Sequence, residues 1–275
     1  MAIVDYCIAD GIARIGLNRP ERHNALVPEL LDALREALRA ARAAQPAAIV
    51  LHAAGPSFST GGDVRAFYAT PPAKRRAYAD QVVGTLNATI LDLLSAPCPT
   101  IAAVHARVTG GSVGLVLGCD IAVAGPKASF APWYTAVGFS PDGAWTALMP
   151  ERIGRARALE VQLLNQRIDS DEAQRLGLVS PVGGPRCAYE DALERAARIR
   201  DARAGSIART LALMRPDIHV VSRALEAERR HFLEQIETDE AEAGMAAFLG
   251  RRQESVGLKR SARARRENER KSSDF

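Results

Sequence analysis

Cysteine is scarce in this sequence, and long apolar runs are missing. The four cysteines are widely scattered and show no metal-ligand spacing; they are Cys7, Cys98, Cys119 and Cys187. The apolar neighbours of Cys7 and Cys119 indicate buried thiols, and the pattern as a whole favours a reduced, cytoplasmic setting. No run of about 18 apolar residues occurs, so we expect no membrane span. The N-terminus also lacks the basic-then-apolar pattern of a signal peptide.

Positive charge is concentrated at the C-terminus. Residues 251–275 carry nine Lys/Arg and four Asp/Glu, a net +5, whereas the whole chain is +4, so residues 1–250 sum to −1. A basic tail can bind nucleic acid. No aromatic residue interleaves with the charges of 259–271, which disfavours that partner. We expect residues 259–275 to form a solvated, disordered tail.

An apolar fraction of 47% is enough for a sizeable core, and the length suits one large domain or one domain with an appendage. Segments 3–9 and 12–17 predict a β-hairpin around the Asp10-Gly11 turn. Leucine spacing predicts a helix over 28–44. Further strands are predicted at 48–53, 100–104, 121–124 and 128–130, with a helix over 74–94 between them.

The first 130 residues alternate strands with helices, which predicts an α/β core. From residue 143 onward the pattern is mostly helical. Helices are predicted over 188–200, 206–214, 221–236 and 239–252, with a capping-box-like start at Asp169 and a helix end at Gly177. We place the boundary between core and C-terminal helices near residue 200.

Two glycine turns stand out, each between an apolar strand and an apolar segment. Gly61-Gly62 precedes Asp63, and Gly110-Gly111 follows the strand 100–104. Glycine lets the backbone approach a ligand closely because it has no Cβ. The first amides of a helix lack helical partners and can point at a negative oxygen. Two such turns can aim two N–H groups at one negative oxygen.

Several motifs in this order resemble the crotonase superfamily, the enoyl-CoA hydratase/isomerase family. They are 17–26 (LNRPERHNAL), 58–63 (FSTGGD), 110–111 (GG), 119–122 (CDIA), 153–159 (IGRARAL), 172–179 (EAQRLGLV) and 244–249 (GMAAFL). The resemblance implies a spiral core of repeated strand-strand-helix turns over 1–200 and a helical trimerisation region over 201–258. It also implies a coenzyme A thioester as substrate, no prosthetic group, and a homotrimer or dimer of trimers.

The resemblance implies that the backbone N–H groups of Gly62 and Gly111 form an oxyanion hole. Such donors stabilise an enolate oxygen, because charge develops where fixed dipoles already point. Family hydratases use two glutamates, and the corresponding positions here are Gly114 and Tyr134. Neither is a carboxylate. Because hydration needs a base for the water and an acid for the α-carbon, the sequence disfavours ordinary hydratase activity.

One carboxylate remains near these motifs, Asp142. The Pro141-Asp142 pattern resembles ring-1,2-epoxyphenylacetyl-CoA isomerases and some Δ3,Δ2-enoyl-CoA isomerases, in which an aspartate here shuttles a proton. The alternative role is an N-cap for a helix predicted over 143–149. Burial beside Phe139 and Trp145 would raise the pKa of this aspartate and make it a better base.

Further binding residues follow from the resemblance. Arg22 and Arg65 are predicted to meet coenzyme A phosphates or ribose, and Phe232 and Arg251 to contact coenzyme A, often across a subunit boundary. Trp133 and Tyr134 are assigned to the acyl pocket. No cluster has metal-ligand spacing, so no metal site is predicted. His23 and His105 are interpreted as non-catalytic.

These observations predict an acyl-CoA isomerase in which Asp142 moves a proton while Gly62 and Gly111 hold the thioester oxygen. A Trp-x-Thr segment before an aspartate also resembles 4-chlorobenzoyl-CoA dehalogenases, although the spacing here is one residue longer. Hydratase-like chemistry and a catalytically weak acyl-CoA-binding protein remain as alternatives. Plausible settings are fatty acid metabolism and aromatic degradation.

Overall fold

The computed structural model describes residues 2–184 and 186–250. Its strands are β1 Val4–Ala9, β2 Ile12–Leu17, β3 Ala48–Ala53, β4 Thr100–Val104, β5 Arg107–Thr109, β6 Ile121–Ala124, β7 Ser129–Ala131, β8 Ile168–Asp169 and β9 Ser180–Pro181. Its helices are α1 Pro28–Ala44, α2 Val64–Ala69, α3 Pro72–Leu94, α4 Val113–Leu117, α5 Tyr134–Val137, α6 Met149–Ile153, α7 Arg155–Leu163, α8 Ser170–Arg175, α9 Ala188–Arg200, α10 Ala204–Met214 and α11 Ile218–Gln235. A last helix, α12, begins at residue 239 and reaches residue 250. Arg251 and the predicted tail 259–275 lie outside the described residues.

The strands form two sheets, and successive segments of the chain alternate between them. The larger sheet has the order β1-β2-β3-β4-β6-β9, and the smaller one the order β5-β7-β8. β4 lies in the large sheet and β5 in the small one; β6 and β7 repeat this step. The predicted spiral of strand-strand-helix turns is therefore confirmed.

The N-terminal hairpin forms as predicted. β1 and β2 pair antiparallel, and Asp10 and Gly11 both have positive φ angles, 53° and 72°. This geometry suits a two-residue turn whose twist matches that of the strands. One expectation is wrong: Cys7 is exposed. Because β1 is the edge strand and residues 5–8 are all exposed, apolar neighbours do not imply burial there.

Both faces of the large sheet are covered. Ile49 and Leu51 of β3 belong to the main core, which includes the fully buried leucines of α1, whereas Val50 faces a second cluster that contains Ala192 of α9. The alternation follows from the two-residue period of a strand. Each fully buried leucine contributes about 1.5–3 kcal/mol relative to exposure. The predicted bounds of α1, β3, β4, β6 and α9 are confirmed.

The C-terminal helices pack differently from one another. α11 lies against α3, and Val221, Leu225 and Phe232 join the main core. In contrast, α10 has no buried residue, and its Leu213 and Met214 are 84% and 79% exposed. The division near residue 200 stays a prediction. Among the described residues, no helix has both the length and the apolar character needed to cross a bilayer.

Candidate active site

The two glycine turns meet because the segment that leads into the first one runs beside β5, which leads into the second. Ser59 and Val108 form a parallel bridge, and Thr109 N donates to the Ser59 carbonyl at 3.1 Å. Gly61 has a φ angle of +73°, and a Cβ there would lie 2.5 Å from the Thr109 carbonyl oxygen. Only a glycine allows this approach, because any side chain would collide with the second turn.

The backbone N–H groups of Gly62 and Gly111 both lie outside the regular hydrogen bonding of helices and sheets. Leu26 donates to the Gly61 carbonyl and accepts from Asp63 N–H, so this bridge leaves the N–H of Gly62 itself unused. Gly111 is the second residue of a 3₁₀ turn. Because it lies at the start of this turn, its N–H has no helical acceptor. Both glycines line one cavity of about 720 Å³.

Asp142 lies in the same cavity, directly beside Gly111. A Cβ on Gly111 would be 2.9 and 3.0 Å from the two carboxylate oxygens of Asp142. Gly143, with a φ angle of +61°, packs its Cα against the backbone of Gly111, and the indole Nε1 of Trp145 donates to the Gly110 carbonyl at 2.9 Å. These contacts attach the Asp142 turn to the second glycine turn.

The Asp142 carboxyl is only 6% exposed. Burial raises its pKa to about 7; the hydrogen bond from Tyr134 opposes this shift, and the charge of Glu228 adds to it. The Tyr134 hydroxyl donates to Asp142 Oδ1 at 2.6 Å. Asp142 Oδ2 makes no hydrogen bond within residues 2–184 and 186–250. A buried carboxyl that titrates near neutrality can both take and return a proton.

Tyr134 lies where the resemblance expects a hydratase glutamate, and its side chain is 4% exposed. Burial, together with the charge of Asp142, raises its pKa well above the usual value, so the hydroxyl stays protonated as a donor. Tyr134 lines the cavity, and its role in an acyl pocket stays a prediction. Its hydrogen bond to Asp142, however, was not foreseen.

Gly114, at the other hydratase position, is closed to any side chain. A Cβ there would lie 2.5 Å from Ile90 Cδ1 and 2.6 Å from the Gly143 carbonyl oxygen. The residue is fully enclosed by α3 and the Asp142 turn. This position therefore lacks both a carboxylate and the room for one.

The helix predicted over 143–149 is wrong. Residues 143–148 form turns, and α6 begins only at Met149. Both Gly143 and Ala144 have positive φ angles, 61° and 68°, which a right-handed helix does not allow. The N-cap alternative for Asp142 therefore has no helix to cap.

Glu228 accepts the hydrogen bonds from the backbone N–H groups that follow Asp142. This glutamate of α11 is 4% exposed and accepts from Ala144 N at 2.9 Å, Thr146 N at 2.7 Å, Thr146 Oγ1 at 2.6 Å and Ala147 N at 3.0 Å. Sequence reasoning missed it. A signal was available in the spacing: Glu228 follows Leu225 by three residues, which places it on the buried face of an amphipathic helix.

Aromatic side chains line the inner part of the cavity. Phe232 packs with Phe139 and Phe67 at ring-centroid distances of 5.2 and 5.9 Å. It lies on α11 of the same chain and is 3% exposed. Trp133 also lines the cavity; it is 44% exposed, and its ring centroid lies 6.2 Å from that of Phe248. Both Trp133 and Phe232 line the cavity, and their contacts with the acyl group and coenzyme A stay predictions.

Basic residues lie along the cavity wall. Arg22 Nη2 donates to Asp63 Oδ2 at 2.8 Å, whereas Arg65 is exposed. Burial pushes the pKa of Asp63 upward, but the bonds and charge of Arg22 outweigh it and the net shift is downward. Arg107, at the start of β5, also lines the cavity and was not predicted. Within the described residues, no group of three His, Cys, Asp or Glu side chains could hold a metal ion.

The two predicted non-catalytic histidines make local contacts. His23 Nδ1 lies 3.0 Å from Ser57 Oγ, and His105 Nε2 lies 2.9 Å from the Gly55 carbonyl oxygen. His23 also lines the cavity, with a left-handed φ of 54°. Both rings thus hold the loop that leads from β3 to the first glycine turn.

Comparison with known proteins gives a consistent set of similarities. The family model for enoyl-CoA hydratase/isomerase matches residues 8–257. The Bacillus subtilis protein YhaR, named for that family, is 33% identical over 181 residues, which cover 65% of this chain and 69% of YhaR. 4-Chlorobenzoyl coenzyme A dehalogenase-2 from an Arthrobacter species is 33% identical over 174 residues, 63% of each chain.

Solved structures share the architecture over nearly the full length. The crystal structure of enoyl-CoA hydratase from Bacillus halodurans superposes with a TM-score of 0.82 and 24% identity, covering 89% of this chain and 99% of that one. At that identity the likeness shows the fold alone. With the match of the family model, it follows that the chain belongs to the enoyl-CoA hydratase/isomerase family of acyl-CoA enzymes, also known as the crotonase superfamily.

Proposed function

We propose that the protein is an acyl-CoA isomerase in which Asp142 is the proton shuttle. The observation that carries this proposal is the single buried carboxylate beside Gly111, whose pKa is raised to about 7 by burial. The amides of Gly62 and Gly111 line the same cavity and can bind the thioester oxygen. A coenzyme A thioester is the substrate, and the protein supplies no prosthetic group.

The reaction needs one base and one oxyanion site. With a 3-enoyl-CoA, Asp142 Oδ2 removes a proton from carbon 2, and the electron pair passes into the thioester carbonyl to give a dienolate. The Gly62 and Gly111 amides stabilise the negative oxygen. Asp142 then returns the proton to carbon 4, which leaves the double bond between carbons 2 and 3. Atoms and charge balance without any water.

Hydration would need more than this site offers. It requires an activated water and a second proton donor, and each acid–base contribution is worth about 10²–10⁴ in rate. Gly114 supplies no group and has no space for one. Tyr134 holds its proton because its pKa is raised well above the usual value, so it cannot act as the base at neutral pH.

The test is Asp142→Asn, which keeps the shape but removes the base. We expect turnover of a 3-enoyl-CoA to fall by about 10²–10⁴ while acyl-CoA binding persists. Asp169→Asn is the matched control, because Asp169 is an exposed N-cap that accepts from Glu172 N at 2.9 Å. Product mass distinguishes isomerisation, which adds nothing, from hydration, which adds water. Near-normal turnover by the Asp142 variant, or mainly hydrated product from the parent, would contradict the proposal.

Dehalogenation of an aromatic acyl-CoA is the second candidate, since the Arthrobacter relative carries that name. In that reaction the aspartate attacks the ring as a nucleophile. Here the pKa of Asp142, about 7, suits a group that takes and returns a proton at neutral pH, and Tyr134 occupies one of its two oxygens at 2.6 Å, so we rank proton transfer above attack. Halide release from 4-chlorobenzoyl-CoA at a rate above that of isomerisation would reverse this order.

We also propose a homotrimer or a dimer of trimers. The support is α10, whose apolar residues are uncovered in the single chain. Light scattering at micromolar concentration tests this, and a monomer would count against it. A cytoplasmic location remains a prediction.

A further inference from the structure

Glu228 is a buried titratable group for which the proposed reaction has no use. Glu228 lies on α11 and is 4% exposed, and its two carboxylate oxygens accept four hydrogen bonds. Oε1 accepts from Thr146 N, Thr146 Oγ1 and Ala147 N, and Oε2 accepts from Ala144 N. All four donors belong to the turn that follows Asp142. Burial raises the pKa of Glu228 above its usual value, whereas the four donors favour its ionised form.

Glu228 is not placed to react. It is absent from the residues that line the cavity, and its oxygens are already occupied by the four donors. Three of these donors are backbone amides of residues 144–147, which lie in turns and have no helical acceptors. A buried backbone amide without an acceptor costs about 1–3 kcal/mol. The carboxylate therefore acts on the turn, and through the turn on Asp142.

The position of Glu228 depends on how α11 docks. Asn87 Nδ2 of α3 donates to the Leu225 carbonyl at 3.0 Å, and Arg76 Nη1 donates to the Leu233 carbonyl at 3.0 Å. Arg229 also forms an ion pair with Asp80 of α3. These contacts lie on both sides of Glu228 along the helix. They fix it in register with the turn 144–147.

We propose that Glu228 is a positioning residue, which holds Asp142 against Gly111 through the turn 144–147 and so makes proton transfer dependent on the docking of α11. This rests on the proposed role of Asp142 as proton shuttle. A displacement of about 1 Å at a reacting group can cost about a hundredfold in rate. Trp145 and Gly143 attach the turn to Gly110 and Gly111, and Glu228 holds its amides from the side of α11.

Charge gives the proposal a separate readout. The ionisable groups that act on Asp142 are Tyr134, from α5, and Glu228, from α11. The negative Glu228 disfavours ionisation of Asp142, so its neutralisation lowers the pKa of Asp142. The limb of the rate profile that reports the base then moves to lower pH. A role confined to stability would not move that limb.

The experiment is Glu228→Gln, which places an amide group opposite the Ala144 N–H and removes the charge. We expect kcat for isomerisation of a 3-enoyl-CoA to fall about ten- to a hundredfold, KM to stay unchanged, and the base limb to shift to lower pH. Glu234→Gln is the matched control, because Glu234 lies on the same helix and is exposed, with His231 at 3.8 Å. That variant is expected to behave like the parent.

The remaining outcomes are equally decisive. A folded Glu228→Gln protein with the parental kcat and pH profile overturns the proposal, as does an equal loss in Glu234→Gln. If Glu228→Gln does not fold, Thr146→Val is tested in its place, because this variant removes one hydrogen-bond donor to Glu228 at an exposed residue. A several-fold lower kcat of Thr146→Val supports the proposal, and an unchanged kcat overturns it. Full activity of Asp142→Asn would instead show that the proposed function itself is wrong.

Discussion

Removal of the Tyr134 hydroxyl is expected to shift the working pH of the enzyme upward. The hydroxyl donates to Asp142 Oδ1 at 2.6 Å and stabilises the ionised carboxylate. A hydrogen bond to a charged group contributes about 1.5–3 kcal/mol, and one pKa unit corresponds to about 1.36 kcal/mol. Tyr134→Phe should therefore raise the pKa of Asp142 from about 7 by about 1–2 units.

The consequence for rate depends on pH. With a pKa of about 7, about half of the Asp142 side chains are ionised at pH 7. In the variant that fraction falls to about 1–10%, so kcat at pH 7 should fall about 5–50-fold. Since the base is only protonated and not removed, the rate should recover to within a few-fold of the parent near pH 9.

The assay is the pH profile of 3-enoyl-CoA isomerisation for both proteins. Tyr78→Phe is the control, because Tyr78 is half-buried and packs on Phe67 at 5.3 Å without contacting Asp142. A base limb for Tyr134→Phe that stays in place or moves to lower pH would refute the reasoning. A loss of rate that is the same at all pH values would show that Tyr134 acts by packing alone.

Two further outcomes follow from burial at the site. Asp142→Asn should be more stable than the parent at pH 7 by on the order of 2–4 kcal/mol. The reason is that the folded pKa of about 7 exceeds the unfolded value of 3.8, so the parent loses stability as pH rises between these values. In urea unfolding the difference should vanish below about pH 4, and a difference that is constant with pH would contradict the prediction. Gly114→Glu should lower the melting temperature and yield no hydrated product by mass, since Ile90 and the Gly143 carbonyl occupy the space; a stable, hydrating variant would show that this wall can move.

Sequence patterns were sufficient where a local rule decides the structure. The Asp10-Gly11 hairpin and α1 follow from turn chemistry and leucine spacing, and Asp142 was found because the family motifs fix its place. The hydrogen bond from Tyr134 to Asp142 spans eight residues, and α5 ends at Val137, so no single regular element connects the two side chains. It could not be anticipated from spacing.

Long-range contacts account for the other differences. Glu228 is 84 residues from Ala144, and although its spacing from Leu225 indicates burial, nothing in the sequence shows which turn it binds. The failed helix over 143–149 has the same origin, because Gly143 takes a positive φ in order to pack on Gly111. At Cys7 the missing information was topological, since the sequence alone does not tell that β1 lies at the sheet edge.

The distance along the chain between Glu228 and the turn it holds has a consequence for folding. Contacts between segments more than 80 residues apart are expected to form late, because the chain must lose the entropy of closing a large loop before these contacts can stabilise it. The sheet and both glycine turns can therefore be complete in a refolding chain that is still inactive. Recovery of enzyme activity should lag behind the recovery of secondary structure, and the lag should report the closure of α11.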